Sequence, residues 1–363
     1  MVLPSSGLIS LNNIQTEFGG LNPIGLNEYY RGGLYVTTNN INIPTSGTIS
    51  LADFYGSSRE LTITISSTTA NVNVRTLFEA AYPGSWAQNI PKRIIIASGV
   101  TVGATNTSNY ALNFPSGFSS TVALVNNGSI LGAGGAANSG TGGNAIFAGA
   151  AGISINNQGT IYSGGGGGGQ GGTGGTGGGG FYTYTSYTIS YTYINGRYYG
   201  GQEGAFGGYD CNDACNQIFG GGSICYASCG IDYELGPAPY YCYDCRWPTT
   251  NYVYTSGGAG GAGGAGGRGR GYDGASAAGS GGSAGAAGGT NAGTGGTGGT
   301  GGTGGNWGTS GGTGNTGNTG ASGNYTAGSG GAAGSGGGLA GFYIVNNANV
   351  TWIATGIRAG RVG

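Results

Sequence analysis

The chain has 363 residues, a net charge of −1 and charged side chains at only 6% of positions, against about a quarter in ordinary globular domains. So little basic charge argues against binding by phosphate neutralisation, and nucleic acid is not expected as a partner. No histidine occurs, which removes the commonest general base and metal ligand and any Ser-His-Asp or Cys-His site.

The first residues, Met1-Val2-Leu3-Pro4-Ser5-Ser6-Gly7, lack the basic and apolar regions of a signal peptide. No apolar run reaches the roughly 18 residues needed to span a membrane. Synthesis in the cytoplasm without membrane insertion is therefore expected. Residues 1–58 hold an internal repeat. Leu3-Pro4-Ser5-Ser6-Gly7-Leu8-Ile9-Ser10-Leu11 returns as Ile43-Pro44-Thr45-Ser46-Gly47-Thr48-Ile49-Ser50-Leu51, with a looser copy around Ile24 to Tyr30. Each copy sets an extended segment before a short helical pattern. Ser10 and Ser50 are the expected N-caps; Leu11, Ile14 and Phe18 fall at helical spacing. Helices this short need a partner or each other.

The stretch from Ile9 to Gly20, followed by Asn22-Pro23-Ile24 and by Glu28 to Gly33, resembles the N-terminal module of tailed-phage virion proteins. That resemblance implies attachment to other tail or fibre proteins.

Residues 59–163 read as a β-rich base. Leu61, Ile63 and Ile65 alternate with polar residues, as a half-buried strand requires. Arg93 to Ala97 is an apolar run expected as a buried strand. A short helix is expected around Leu77 and Phe78, and Trp86 is expected in the core. Leu124 to Ile130 and Ile153 to Ile161 share a strand, Asn-Asn turn, strand pattern, and Tyr343 to Val350 reads as a third copy. Such repeats suit coils of a small β-solenoid or hairpins of one sheet. The chain is expected to leave this base near residue 163 and to rejoin it at Phe342, with 342–363 as the returning strand.

Between those points lie glycine-rich tracts at 164–180 and 257–341. Glycine supplies 91 residues, and its densest runs keep a three-residue beat: Thr294, Thr297, Thr300, Thr303 and Asn306 are each separated by two glycines. Three residues per turn is the period of the polyproline II helix. Such a helix has no internal hydrogen bonds, so packed rods must satisfy one another. Two glycines in three and no proline after Pro248 exclude collagen. Packed rods are expected over a flexible Gly/Ser linker. Rods of this kind resemble the glycine-rich (polyglycine II) distal adhesin of T-even-like phage long tail fibres. In that family loops at the rod tips bind the host receptor. The chain departs from the family's several short loops by carrying one long insert, 181–256.

That insert holds 15 of the 25 tyrosines, all six cysteines, and six acids against two arginines. Asn195-Gly196 is a type I′ hairpin signal, with Arg197-Tyr198-Tyr199 expected to start the return strand. Cys211, Cys215, Cys225, Cys229, Cys242 and Cys245 are candidates for disulfides, since a small insert without an aliphatic core needs staples. A thiolate metal cluster and free thiols stay open as alternatives. Tyrosine offers a large amphipathic face with few rotors. The receptor-binding candidates are Tyr182, Tyr184, Tyr187, Tyr191, Tyr193, Tyr198, Tyr199, Tyr209, Tyr240 and Tyr241, with Asp232 and Glu234 as acceptors for sugar hydroxyls.

The expected fold is mainly β with polyglycine or polyproline II-type rods, a small N-terminal module and few helices. The expected function is a phage tail-fibre or tail-tip adhesin on the virion, recognising a host glycan or outer-membrane protein. No cofactor, metal or catalysis is expected, and a homo-oligomer such as a trimer stays open. The alternatives are a structural fibre or decoration protein and a glycan depolymerase.

Overall fold

In the N-terminal module, Ser10 caps helix α1 (Leu11–Phe18) by accepting from the Asn13 N–H at 3.2 Å, while Asn13 accepts from the Ser10 N–H at 2.9 Å. The second copy forms only a 3₁₀ turn, Leu51–Phe54. There the Asp53 carboxylate accepts from the Ser50 N–H and the Ser50 hydroxyl donates to Asp53. Ser50 thus takes the N-cap place as expected, but the turn is tied by the Asp53 carboxylate on the Ser50 N–H and not by the Ser50 hydroxyl on a backbone N–H. The third copy, Leu26–Glu28, uses Glu28 on the Gly25 N–H. Each copy contributes one ring to a shared core. Phe18 and Phe54 lie 6.1 Å apart, Tyr29 and Phe54 6.2 Å, and Phe18 and Tyr29 6.5 Å. All three are fully buried, so the three turns are stabilised by docking on each other.

The structure is a computed structural model that describes residues 3–37, 40–195, 224–228 and 240–363, with side chains described outside 188–248. After the module the chain winds in coils, each giving one short strand to each of three parallel sheets. The first coil is β1 (Leu61–Ile65), β2 (Thr69–Ala70) and β3 (Val72–Asn73); the second is β4 (Lys92–Ile96), β5 (Thr101–Gly103) and β6 (Leu112–Phe114). The third is β7 (Val122–Asn126), β8 (Ser129–Leu131) and β9 (Ile146–Ala148). The fourth starts with β10 (Ile153–Asn157) and β11 (Thr160–Tyr162) and then breaks off. The excursion carries a ribbon of β12 (Gly180–Asn195), β13 (Ile224–Ser228) and β14 (Tyr240–Thr255). β15 (Phe342–Val345) resumes the fourth coil beside β9, and β16 (Val350–Ala354), β17 (Ile357–Ala359) and β18 (Arg361–Val362) make the fifth. The sheets run β1-β4-β7-β10-β16, β2-β5-β8-β11-β17 and β3-β6-β9-β15-β18. The expected departure and return therefore fall inside one coil.

Alternation fixes which way each strand faces. Ile94, Ile96, Leu124, Ile153 and Ile155 point inward, and Ile95 is half-buried rather than part of a fully buried run. Leu61 and Ile65 are buried, Ile63 is half-buried, and Thr62 and Thr64 are exposed. The Asn-Asn repeat is a ladder: Asn126 pairs with Asn157 in register and donates to its side-chain oxygen at 2.7 Å, and Asn157 donates onward to the Thr355 carbonyl at 2.8 Å. Both asparagines are buried, and the one-way relay satisfies their amides inside the coil. The copy expected at Tyr343–Val350 is not equivalent. Those residues turn the corner from β15 to β16, and the true continuation of the ladder is Val350–Ile357. The sequence likeness misleads because its Asn-Asn pair sits at a different corner of the coil.

Helix α2 (Val74–Ala81) is inserted between the first two coils and buries Val74 and Phe78, as expected around Leu77 and Phe78. Trp86 is buried and donates to the Ser116 carbonyl at 3.1 Å. Lys92 is buried with its ammonium on the carbonyls of Gln88 (3.0 Å) and Ile90 (2.8 Å). Burial holds its pKa below the ordinary lysine value. The Glu79 carboxylate accepts from the N–H of Trp86 at 2.9 Å and of Gly84 at 2.6 Å, and these bonds hold its pKa below the ordinary 4.5. A depressed carboxylate pKa gives stability that is present above the unfolded value and is lost as pH falls through the folded one. Glu79→Gln is expected to be less stable than the parent near neutrality. The gap should close as pH drops below about 4, as thermal unfolding across pH will read. A gap constant with pH refutes the clamp.

The glycine-rich stretches form six tracts: 164–179, 257–270, 277–288, 293–305, 309–323 and 326–341. They carry no helical hydrogen bonds and bond sideways on a three-residue beat. Gly168, Gly171, Gly174 and Gly177 donate to the carbonyls of Gly267, Gly264, Gly261 and Gly258; Gly169, Gly172, Gly175 and Gly178 donate to Gly312, Asn315, Asn318 and Ala321. The same tract accepts from Gly293, Gly296, Gly299 and Gly302 on one side and from Ser329, Ala332 and Ser335 on another, with all these bonds at 2.7–2.9 Å. The neighbour relations set tracts 257–270, 164–179 and 326–341 in one layer and 277–288, 293–305 and 309–323 in the other.

Glycine density follows the number of neighbours. In the central tract a Cβ on Gly174 would sit 1.9 Å from the Gly296 carbonyl oxygen, and one on Gly175 would sit 1.9 Å from that of Ser329. Only Gln170, Thr173 and Thr176 face solvent there. In the edge tract 326–341, Gly331 and Gly334 meet backbone at 2.1 Å, but Gly330 and Gly336 have nothing within 4 Å. The need for two glycines in three thus holds for tracts enclosed on several sides and relaxes at the edge, where glycines such as Gly330 and Gly336 face open space.

Candidate functional site: an aromatic platform at the far end of the glycine tracts

The tracts run from the coils to a far end where four segments meet: 179–187, 249–256, 288–292 and 322–326. β12 and β14 are antiparallel, in register from Gly180↔Thr255 to Asn195↔Tyr240. Sixteen paired residues make a ribbon about 50 Å long. Its root is tied down by side chains of the neighbouring turns. Asn324 accepts from the Phe181 N–H at 2.8 Å and donates to the Phe181 carbonyl at 3.0 Å; Asn291 donates to the same carbonyl at 3.1 Å. Asn291 has φ +58, a left-handed conformation that asparagine tolerates better than most residues. Thr255 donates to the Thr290 carbonyl at 2.7 Å, and the Gly179 N–H donates to the Thr326 hydroxyl at 2.7 Å.

On this root the rings of Phe181, Tyr252, Tyr254 and Tyr325 cluster. Tyr254 and Tyr325 are 4.9 Å apart, and Phe181 lies 6.2 Å from Tyr252, 6.3 Å from Tyr254 and 6.2 Å edge-on from Tyr325. The cluster is open: Tyr252 and Tyr254 are each 61% exposed and Tyr325 59%. No charged residue occurs in the four segments.

Of the expected binding residues, Tyr182, Tyr184 and Tyr187 are exposed along β12. Tyr191 and Tyr193 lie further along β12, and Tyr240 and Tyr241 on β14 opposite Asn195 and Ile194. Tyr198, Tyr199, Tyr209, Asp232 and Glu234 lie outside the described residues, as do Cys211, Cys215 and Cys229. β13 pairs with β14 so that Cys225 stands opposite Cys245 in register, and Ser228 opposite Cys242. The partner of β12 is β14, and the return strand expected at Arg197-Tyr198-Tyr199 lies outside the described residues. The sequence reading missed Tyr252, Tyr254 and Tyr325. Tyr252 and Tyr254 alternate just as Tyr182 and Tyr184 do, a signal that was there to use. Tyr325 has none, since it lies about 140 positions from Phe181 and only the tract packing unites them.

A family model described as phage tail fibre adhesin Gp38 matches residues 60–231. The chain is similar to the phage tail-fibre adhesins. The resemblance drawn from the glycine tracts is thereby borne out, and the match runs through the coils and the central tract into the insert. The crystal structure of the gp37-gp38 adhesin tip complex of the bacteriophage S16 long tail fiber is similar at 18% identity, over 90% of this chain and 91% of that one, with a TM-score of 0.35. No curated protein matches.

Proposed function

We propose that this protein is the adhesin of a phage tail fibre, recognising the host surface from the far end of its glycine tracts. The match to the tail-fibre adhesin model carries this reading, and the open aromatic platform supplies the surface. The work is adhesion, with no bond made or broken. Residues 1–58 attach to the virion fibre, 59–163 and 342–363 form the base, 164–180 and 257–341 form a bundle of polyglycine II rods, and 181–256 is the distal insert. The three-residue hydrogen-bond beat supports the rods. Leu8, Leu21, Leu34 and Ile41 of residues 1–58 are at least 75% exposed, which supports contact with another fibre protein rather than with water. Gold-labelled antibody against 181–256 is expected at the distal end of the tail fibre in intact particles; label elsewhere on the virion overturns the reading.

We further propose that the six cysteines form disulfides once lysis exposes the particles to an oxidising medium. Directly opposed residues of an antiparallel pair have Cα atoms about 4.5–5.5 Å apart, inside the range a disulfide needs. Non-reducing peptide mapping of released particles is expected to recover Cys225 linked to Cys245. Recovery of both as free thiols, or in other pairs, refutes that pairing.

A further inference from the structure

We infer that the platform of Phe181, Tyr252, Tyr254 and Tyr325 is a subsite for uncharged sugar, a neutral pyranose of the host surface polysaccharide. The inference rests on the adhesin reading and names the ligand class of its distal site.

Three observations carry it. First, the four converging segments bring aromatic rings, threonine and serine hydroxyls and asparagine amides to one place and not one charged side chain. A site built for the charged loops of a protein receptor, or for phosphate and acidic sugars, needs opposite charge to offset desolvation. Second, the rings are open. Tyr252, Tyr254 and Tyr325 each leave more than half their surface in water, although the adjacent tracts bury apolar surface only sparingly. Aromatic faces suit the C–H faces of a pyranose ring, and phenol hydroxyls at their edges reach sugar hydroxyls as donor or acceptor. Third, the platform is fixed before any ligand arrives. Asn324 and Asn291 hold Phe181 by its backbone from two different turns, and tyrosine has few rotors to freeze. A prearranged site lowers the ordering cost that weak sugar contacts otherwise fail to meet.

The contrast with the rest of the insert strengthens the assignment. All six of its acids and both of its arginines lie between residues 197 and 246 of the sequence, outside the four segments that form the platform.

The test uses the full-length protein on a printed array of neutral and acidic bacterial surface oligosaccharides. Binding to neutral glycans is expected, with little change between about 0.05 and 0.5 M salt, because screening acts on charge pairs. Tyr325→Ala and Tyr254→Ala are expected to lower it about tenfold each, a loss on the scale of a stacking contact. Tyr325→Phe, which keeps the ring, is expected to retain most of the binding, and unchanged melting in the alanine variants confirms that they fold. Binding confined to acidic glycans, steep salt dependence, or full binding by both alanine variants overturns the inference. So does capture by sugar-free outer-membrane protein vesicles with no neutral glycan bound. Adsorption of particles separates the two readings. Tyr325→Ala particles that adsorb poorly while the array stays blank leave the adhesin and refute the sugar; particles that adsorb normally without the insert refute the adhesin itself.

Discussion

Particles in which residues 181–254 are replaced by an Asn-Gly turn are expected to assemble with normal tails and to lose adsorption to their host. The replacement is geometrically mild. Gly180 and Thr255 already face each other as the first pair of the ribbon, and Asn-Gly closes a two-residue hairpin without strain. The backbone bonds of the tracts lie below the cut and are untouched. What is lost is the exposed tyrosine surface, including Tyr182, Tyr184, Tyr187, Tyr252 and Tyr254. Stacking contacts of a binding surface are worth about 1–3 kcal/mol each, and each 1.4 kcal/mol is about tenfold in affinity. Removing several together should take adsorption below detection in a depletion assay. Normal adsorption by such particles refutes the assignment of host recognition to the insert. Failure to assemble would place the insert in fibre construction, the structural-protein reading.

A single methyl group in the central tract is expected to do more damage than the loss of that whole insert does to stability. Gly174→Ala puts a Cβ 1.9 Å from the Gly296 carbonyl oxygen, far inside van der Waals contact. The obstacle is backbone, hydrogen-bonded through its own N–H to the Gly175 carbonyl at 2.8 Å, so no rotamer change can relieve it. Overpacking of this kind costs about 1–3 kcal/mol and occasionally more. Here the strain must also part bonds on two sides of the tract, and the upper end applies. Gly330→Ala is the control. It lies in an edge tract with nothing within 4 Å of its Cβ, so alanine should be neutral or raise stability by about 0.4–1 kcal/mol through the unfolded chain. Thermal unfolding of the two variants should move in opposite directions, or only Gly174→Ala should fall. Equal behaviour refutes close packing of the tracts.

Much of the fold was legible because its devices are periodic. The alternation in β1, the capping residues at Ser10 and the three-residue glycine beat are local, and each has a local physical cause. The Asn-Asn pattern at 126 and 157 suited coils or hairpins alike, and the parallel register that sets Asn126 on Asn157 decides for stacked coils. The same pattern misled at Asn346, which sits at another corner. Ser50 takes the expected N-cap place, held there by the Asp53 carboxylate on its N–H. The candidate site was half legible. Alternating tyrosines mark a ribbon with two exposed faces, but a ribbon has no floor by itself. The floor comes from Asn291, Asn324 and Tyr325, whose approach to Phe181 spans more than a hundred residues.

The sequence by itself determined that this chain builds strands, then glycine tracts, then one tyrosine-rich insert, and that it leaves and rejoins a common base. Composition suffices for that, because glycine, alternating apolar residues and tyrosine each restrict the backbone or its burial in one way. Only the tertiary structure decided which tract lies at the centre and which at the edge. A tract has no internal hydrogen bonds, so its neighbours set both its partners and the room for a side chain. The tertiary structure also decided where the aromatic platform stands, because its rings come from segments that meet only when the tracts are packed side by side.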